Sequence, residues 1–277
     1  MQNMKLSAPA ITAKKGVEKI TMLTAYDASF AGMLESVGVD MLLIGDSLGM
    51  VVLGYDSTVP VSMDEMLHHA AAVRRGAPAT MLVGDMPFLS YQVSPEEAVA
   101  NAGRFFKEAG CDAVKLEGGR EVCKAVQAIV QAGMPVMAHI GLTPQTAGKL
   151  GGFKVQGKDL DSARRLLKEA KALEEAGAFA LVLECIPDGL ARLISEEIAI
   201  PTIGIGAGAG CDGQVLVTND LLGLFEKFVP RFVKKYINLA PDIKEAVALF
   251  LDEVKSGSFP DEEHSFVMKI EPKDICR

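Results

Sequence analysis

The sequence predicts a single (β/α)8 TIM barrel with short N-terminal and C-terminal extensions. Eight short apolar runs alternate with segments of helical period, which is typical of βα units around a parallel sheet. Most runs are apolar on both faces, as strands must be when helices cover them outside and side chains fill the inside. The composition shows no linker, so the alternative is an open doubly wound sheet rather than two domains.

The predicted strands follow one another along most of the chain, and the last is the weakest. Their bounds are Ile20 to Ala25, Met41 to Asp46, Thr80 to Asp85, Ala113 to Glu117, Pro135 to Ile140, Ala180 to Glu184, Thr202 to Gly206 and Gln214 to Val217. We expect residues 1–277 to form one domain, with the barrel core at about 19–240 and a C-terminal helix and charged tail at 241–277. The aperiodic tail is expected to be loosely ordered or to lie on a neighbouring subunit.

Two of the connecting helices carry clear start and stop signals. Ser62 and Glu65 form a capping-box pattern before a segment of helical period. Ser94 and Pro95 open another helix, which Gly110 ends. The buried stripe of this second helix is predicted at Ala98, Ala102, Phe105 and Ala109.

Composition and charge exclude several classes of protein. With 49% hydrophobic and 23% charged residues, the 277-residue chain is predicted to be globular. A net charge of -8 without a Lys/Arg cluster argues against nucleic acid as a partner. No apolar run approaches the ~18 to 20 residues that span a bilayer, so we expect a cytoplasmic protein without membrane partners. The cysteines form no CxxC pair and are expected to be buried thiols: Cys111, Cys123, Cys185, Cys211 and Cys276.

Polar residues interrupt the apolar runs at one recurring position. Asp46, Asp85, Glu117, His139 and Glu184 each fall at the C-terminal end of a different run. The C-terminal ends of barrel strands form the catalytic face of this fold. The sequence therefore predicts that these five side chains meet at one mouth of the barrel.

Strand alternation predicts which way the strand-end residues point. Leu42 and Ile44 are expected to share a face with Asp46, as Lys115 does with Glu117. The same alternation applies to the other acidic strand ends. We expect this common face to be the inward one.

Four carboxylates at one mouth require compensating positive charge. One carboxylate pair at ~4 Å costs about 4 kcal/mol at an effective dielectric of ~20. Lys115 offsets one charge, and a divalent cation can offset the others. An all-oxygen donor set without a thiolate favours Mg²⁺ or a similar hard ion over zinc. His139 can instead donate to a substrate or to a backbone carbonyl.

Each of these residues also has a structural explanation. Asp46, Asp85 and Glu117 can each serve a turn or a helix cap, and only their joint occurrence favours a site. Lys115 and Glu184 lie within apolar strands, where an unpaired charge costs several kcal/mol. These two residues therefore favour function most strongly.

Three other features are weaker signals. His68 and His69 are adjacent in a helix, do not share a face, and are interpreted as surface or packing residues. The segment Gly204 to Gly210 resembles a dinucleotide fingerprint, but an apolar run follows it, which favours a tight loop or an anion cradle. The glycine-rich stretch Gly141 to Lys158 follows His139 and can be either a closing loop or a passive excursion.

Eight ordered motifs lie between about Lys19 and Tyr236: MLTAYDASFA at Met22, GDSLGMVVLGYDSTVPVSMDEM at Gly45, DMPFLSYQ at Asp85, AVKLEGG at Ala113, HIGLTPQ at His139, KVQGK at Lys154, ALVLECIP at Ala180 and IGIGAGAGCDGQVLV at Ile203. In these motifs the chain resembles the ketopantoate hydroxymethyltransferase family. One departure is Asn219, where the family pattern VxHD has a histidine.

The resemblance implies a Mg²⁺-dependent enzyme with one Mg²⁺ per subunit. It implies transfer of a hydroxymethyl group from 5,10-methylenetetrahydrofolate to α-ketoisovalerate (3-methyl-2-oxobutanoate), giving ketopantoate for the synthesis of pantothenate, a coenzyme A precursor. It also implies a homodecamer. The implied metal ligands are Asp46, Asp85 and Glu117, with Glu117 completing or orienting the shell. The implied substrate-binding residues are Asp46, Ser47, Asp85, Lys115 and His139, and Glu184 is the implied base.

The chemistry of 2-oxo acids is consistent with this reaction. A 2-oxo acid can chelate Mg²⁺, and the metal then stabilises the enolate formed when Glu184 removes the C3 proton.

Three alternatives stay open. One is a Mg²⁺-dependent 2-oxo acid lyase or mutase of the isocitrate lyase type, although the KKCGH-like cysteine loop of that class is not seen in the sequence. Another is an aldolase with Lys115 as Schiff-base nucleophile. The third is a non-catalytic ligand-binding barrel.

Overall fold

The computed structural model describes residues 5–227, 229–270 and 275, and its centre is a closed barrel of eight parallel strands. The strands pair in chain order, and β1 closes the barrel by pairing with β8. The strands are β1 (Ile20–Thr24), β2 (Met41–Ile44), β3 (Met81–Asp85), β4 (Ala113–Glu117), β5 (Val136–Gly141), β6 (Ala180–Glu184), β7 (Thr202–Ile205) and β8 (Gly213–Leu216). The predicted (β/α)8 barrel is confirmed, and the open sheet is excluded.

Helices alternate with the strands except between β7 and β8, where the described residues form a loop. The helices are α1 (Ala8–Ala13), α2 (Ala28–Ser36), α3 (Leu48–Val51), α4 (Met63–Gly76), α5 (Pro95–Ala109), α6 (Cys123–Gln131), α7 (Leu160–Glu175), α8 (Asp188–Glu197), α9 (Thr218–Leu221) and α10 (Leu239–Ser256). Ser62 and Glu65 form the predicted capping box at the start of α4. The stripe predicted for α5 is buried, and Gly110 ends that helix in the left-handed conformation.

The apolar side chains form two layers, and these layers correct one prediction. Met41 and Leu43 pack with alternate residues of the other strands, which places them inside the barrel. Leu42 and Ile44 pack with residues of the surrounding helices, and so point outward. The expectation that they share an inward face with Asp46 was therefore wrong. Strand β2 ends at Ile44, and the turn that follows brings Asp46 to the mouth, so period-two alternation does not extend to it.

The N-terminal extension closes the bottom of the barrel. Ile11 of α1 is fully buried and belongs to the same apolar cluster as the interior strand residues and Phe179. The Thr12 hydroxyl donates to the Phe179 carbonyl at 3.1 Å. The opposite end, where the strands finish, carries the candidate site.

The chain divides into two compact units, one formed by Met1–Thr218 with Pro230–Val233 and the other by Asn219–Val229 with Lys234–Arg277. The first unit contains the barrel, and the second contains α10, the C-terminal helix that the sequence predicts. Within the second unit, Lys244 pairs with Glu226 at 2.8 Å. The assignment of the whole chain to one domain stays a prediction. No helix in the described ranges is long and apolar enough to cross a membrane.

Candidate active site

The predicted polar residues lie at the carboxyl ends of neighbouring strands. Asp85, Glu117 and Glu184 are the last residues of β3, β4 and β6. Lys115 lies on β4 and His139 on β5, and the register pairs Glu117 with His139. Because all strands are parallel, these side chains are brought to one end of the barrel, together with Asp46 and Ser47 in the turn after β2.

Asp46, Asp85 and Lys115 form the first half of the site. The Asp46 backbone N–H donates to Asp85 Oδ2 at 3.4 Å, so the two predicted metal ligands are in contact. Lys115 Nζ donates to Asp85 Oδ1 at 2.7 Å, and both side chains are less than 5% exposed. Lys115 is thus a charge partner of the acids, as its position inside an apolar strand requires.

Glu117, His139 and Glu184 continue the site around the barrel mouth. Glu117 Oε1 lies 3.6 Å from Lys115 Nζ and 3.5 Å from His139 Nδ1. On the other side of the ring, His139 Nε2 lies 3.4 Å from Glu184 Oε2. Neither ring nitrogen of His139 has a hydrogen bond to a described residue. The Glu184 side chain is 16% exposed against 2% for His139, so Glu184 is the more accessible of the two to a bound molecule.

Burial and neighbouring charge shift the pKa values of three carboxyl groups of the site. Burial and the neighbouring charge of Asp85 raise the pKa of Asp46 well above its ordinary value. Burial also raises the pKa of Asp85, although Lys115 opposes the shift. Burial works against ionised Glu117, yet Lys115 and the other polar neighbours together outweigh it and lower the pKa of this carboxyl. Lys115 alone therefore does not offset the burial of the two aspartates.

Glu184 has the pKa shift that suits a proton acceptor. Burial, and then the negative charge of Glu117, raises its pKa well above the ordinary glutamate value. A carboxylate with a raised pKa binds a proton more readily, and catalytic bases are commonly tuned in this way. The geometry and the pKa of Glu184 thus point in the same direction.

Two buried residues of the site carry no role in the sequence-based prediction. Gln145 Nε2 donates to Asp46 Oδ2 at 2.9 Å, and the Gln145 backbone N–H donates to Glu117 Oε2 at 3.1 Å. The Tyr91 hydroxyl donates to Gln145 Oε1 at 2.7 Å and accepts from the Glu117 N–H at 3.1 Å. Both residues lie in loops after strands, and their only sequence signal is their presence in the HIGLTPQ and DMPFLSYQ motifs.

Ser47 belongs to a second group of polar residues at the edge of the site. Its hydroxyl lies 2.8 Å from the Tyr26 hydroxyl, at the end of the loop after β1. His69 Nδ1 contacts the Tyr26 carbonyl at 2.6 Å, which gives His69 of α4 a structural contact, while His68 is exposed. The interpretation of the histidine pair as surface and packing residues is confirmed.

The glycine-rich segment after β7 packs closely against α8. Gly206 and Gly208 have positive φ values of 64° and 78°. A side chain at Gly208 would collide with Asp188, and one at Gly210 with Arg192. Because β8 follows instead of a helix, the segment is the tight loop that the sequence favours over a dinucleotide fingerprint.

The donor set fits a hard cation held by few protein ligands. Among the residues that the structure describes, no three His, Cys, Asp or Glu side chains are arranged to hold a metal ion. Asp46 and Asp85 nevertheless present adjacent buried carboxylates, with Lys115 as the nearby cation. Mg²⁺ is usually bound through one or two carboxylates, with waters and substrate oxygens completing its shell. The two aspartates are compatible with such a site.

The fold and the site together define an enzyme. A (β/α)8 barrel with a buried lysine, several acids and one more accessible carboxylate at the carboxyl ends of its strands is suited to proton transfer on a small anionic substrate.

The comparisons with known proteins agree with this class. The family model described as ketopantoate hydroxymethyltransferase matches residues 5–262. A 3-methyl-2-oxobutanoate hydroxymethyltransferase of Desulfotalea psychrophila (strain LSv54 / DSM 12343) is 61% identical, over 95% of this chain and 94% of the relative. One from Syntrophus aciditrophicus (strain SB) is 62% identical, over 92% and 93%. This chain belongs to the ketopantoate hydroxymethyltransferase family.

Solved structures of lower identity share the fold. A phosphoenolpyruvate phosphomutase from Streptomyces platensis subsp. rosaceus superposes with a TM-score of 0.61 at 16% identity, covering 98% of this chain and 94% of that one. At this identity the likeness shows the barrel alone.

Proposed function

We propose that the protein transfers a hydroxymethyl group from 5,10-methylenetetrahydrofolate to α-ketoisovalerate and so forms ketopantoate for pantothenate synthesis. Membership of the ketopantoate hydroxymethyltransferase family supports the overall reaction. The observation that carries the mechanism is the row of contacts from Asp85 through Lys115 and Glu117 to His139 and Glu184. This row joins an anion-binding group to a proton acceptor across one barrel mouth.

Glu184 acts in this proposal as the base that removes the C3 proton of α-ketoisovalerate. Its partial exposure lets its carboxylate meet a substrate, and its raised pKa makes it a better proton acceptor than an ordinary glutamate. His139, whose Nε2 lies 3.4 Å from Glu184 Oε2, flanks the substrate. The carbanion at C3 then forms a bond to the one-carbon unit of the folate. Both carbon–nitrogen bonds of the methylene group break, which leaves tetrahydrofolate, and water supplies the hydroxyl oxygen of the product.

Lys115 and Ser47 hold the keto acid. The buried ammonium group of Lys115 offers positive charge at the mouth, and the Ser47 hydroxyl, which lies 2.8 Å from the Tyr26 hydroxyl, can donate to a carboxylate oxygen. Burial opposes the charged form of Lys115, but the neighbouring carboxylates, Asp85 foremost, together outweigh it and raise the Lys115 pKa, so the amine stays protonated. A protonated amine is a poor nucleophile, which argues against the Schiff-base alternative.

Asp46 and Asp85 would hold Mg²⁺, with Glu117 completing or orienting the shell. When bound, Mg²⁺ supplies a Lewis acid that makes the C3 proton of a 2-oxo acid easier to remove. The raised pKa values of the two aspartates, caused first by burial, support a site that calls for further positive charge.

Ketopantoate formation by the purified protein tests the proposal. The wild type is incubated with both substrates and Mg²⁺, and the product is measured by mass spectrometry. Glu184→Gln is expected to lower the rate by about 10² to 10⁴-fold, the usual contribution of a positioned base, while calorimetry still shows α-ketoisovalerate binding. Glu175→Gln, an exposed glutamate at the end of α7, is the matched control.

Two results would contradict the proposal. One is a wild-type protein that forms no ketopantoate from the two substrates. The other is a Glu184→Gln variant that keeps the rate of the Glu175→Gln control.

We also propose that the chain forms a homo-oligomer, with the homodecamer as the expected state. Helix α10 supports an interaction surface, since Leu249 is 60% and Phe250 50% exposed. Sedimentation velocity of the full chain tests this, and a monomer at micromolar concentration would contradict it.

A further inference from the structure

Gln145 lies where the loop after β5 enters the polar site. It belongs to the short 3-10 turn Pro144–Thr146 and is only 3% exposed. The loop is fixed on both sides of this turn. The Leu142 N–H donates to the Glu184 carbonyl and the Gln156 N–H to the Cys185 carbonyl, each at 2.9 Å. Gln145 is therefore presented to the site by an anchored segment.

Its carboxamide has a single orientation that satisfies all of its contacts. Nε2 donates both to Asp46 Oδ2 and to the Met86 carbonyl, each at 2.9 Å. The Met86 oxygen can only accept, so the amino group must face it. Oε1 then faces the Tyr91 hydroxyl, which donates to it at 2.7 Å. The surrounding groups thus fix the carboxamide, and the carboxamide in turn restrains Asp46 Oδ2.

The same residue reaches the other half of the site through its backbone. The Gln145 N–H donates to Glu117 Oε2 at 3.1 Å. This bond does not involve the side chain, so it is available to any residue but proline at this position. A substitution of Gln145 therefore removes the contacts with Asp46 and Met86 while the bond to Glu117 can remain.

We propose that Gln145 is a positioning residue, whose carboxamide holds the Asp46 carboxylate in the orientation that binds the divalent cation. The inference rests on the proposed function, since Asp46 is a cation ligand only within it. Hydrogen bonds that orient a metal ligand typically change metal affinity or activity by 10–100-fold when they are removed.

The test is a titration of the full chain with Mn²⁺ in the absence of substrates. The electron paramagnetic resonance signal of free Mn²⁺ measures how much of the ion is bound. Gln145→Met keeps the length of the side chain and removes both donor contacts, so its dissociation constant for Mn²⁺ is expected to rise by about 10–100-fold. Gln145→Asn keeps a carboxamide but withdraws it by one methylene, and is expected to weaken binding by about tenfold.

Gln156→Met is the matched control in the same loop. Its side chain donates to the Lys154 carbonyl and not to Asp46 or Asp85, so the Mn²⁺ affinity of Gln156→Met is expected to stay within about twofold of the wild type. Circular dichroism and thermal melting accompany each titration. If Gln145→Met does not fold, Gln145→Asn decides the question.

The outcomes separate this inference from the proposed function. Wild-type Mn²⁺ affinity in the folded Gln145 variants would overturn the inference alone, even if their melting temperatures fell, because Gln145 would then only be a packing residue. Equal loss in Gln156→Met would also overturn it, since the loop as a whole would be responsible. A wild-type protein that does not bind Mn²⁺ would overturn both the inference and the proposed cation site.

Discussion

Two ion pairs of nearly equal length allow the effect of burial on the site to be measured. Lys115 Nζ lies 2.7 Å from Asp85 Oδ1, and these side chains are 4% and 3% exposed. Lys171 Nζ lies 2.6 Å from Glu197 Oε2, and each of these side chains is 44% exposed. Lys115→Met and Lys171→Met therefore make the same chemical change in two different environments.

The two substitutions are expected to lower the free energy of unfolding by amounts that differ by several-fold. Removing one partner of a buried pair costs about 3–5 kcal/mol, because the remaining charge stays buried without compensation. An exposed pair contributes about 0.2–1 kcal/mol. Against a typical stability of about 5–15 kcal/mol, the first loss is a large fraction and the second is small. We expect Lys115→Met to lower the free energy of unfolding by about 3–5 kcal/mol, and Lys171→Met by less than about 1 kcal/mol.

Urea unfolding at pH 7 in metal-free buffer, followed by circular dichroism, measures both losses. The double variant Lys115→Met/Asp85→Asn is expected to recover part of the stability, because it removes the carboxylate that Lys115→Met leaves unpaired. A Lys115→Met variant no less stable than Lys171→Met would refute the assignment of Lys115 as the charge partner of the buried acids.

Two further predictions concern the base and its support. Burial and Glu117 raise the pKa of Glu184, and only the ionised carboxylate accepts a proton. Exchange of the C3 hydrogen of α-ketoisovalerate should therefore slow as the pH falls through a value above the ordinary glutamate pKa of ~4.3. A rate that falls only at or below that pH would contradict the role of Glu184. Gly141 has φ 100°, and a side chain there would collide with the Glu184 carbonyl. Gly141→Ala should therefore lower the free energy of unfolding, measured by thermal unfolding, by about 1–3 kcal/mol and displace the Glu184 base. Gly148→Ala, which has no neighbouring heavy atom within 4 Å, is its control, and equal effects would count against the steric argument.

Most of the barrel could be predicted because its elements follow local rules. Strands β4 and β6 have the predicted bounds, since each is an apolar run that ends at a polar residue beside a turn. Helices α4 and α5 begin at their capping serines for the same local reason. The inward direction assigned to Leu42 and Ile44 was wrong because β2 ends at Ile44, before Asp46, where the predicted strand ended. Alternation predicts a direction only as far as the strand continues.

The site could be predicted in its charged part and not in its neutral part. Asp85, Glu117 and Glu184 stand out because each ends an apolar strand, and parallel strands bring their ends together. Gln145 and Tyr91 are neutral, lie in loops, and reach the site through the path of the chain, which no periodicity describes. Their importance comes from contacts made after the loops are in place.

The most direct test of the account is deuterium loss from C3-deuterated α-ketoisovalerate in ordinary water, without folate. The account predicts rapid loss with wild-type protein and Mg²⁺, little loss after EDTA treatment, and restoration when Mg²⁺ is added back. It also predicts a rate about 10² to 10⁴-fold lower for Glu184→Gln. Exchange that is unaffected by EDTA, or that persists at the wild-type rate in Glu184→Gln, would contradict the assignment of cation and base at this barrel mouth.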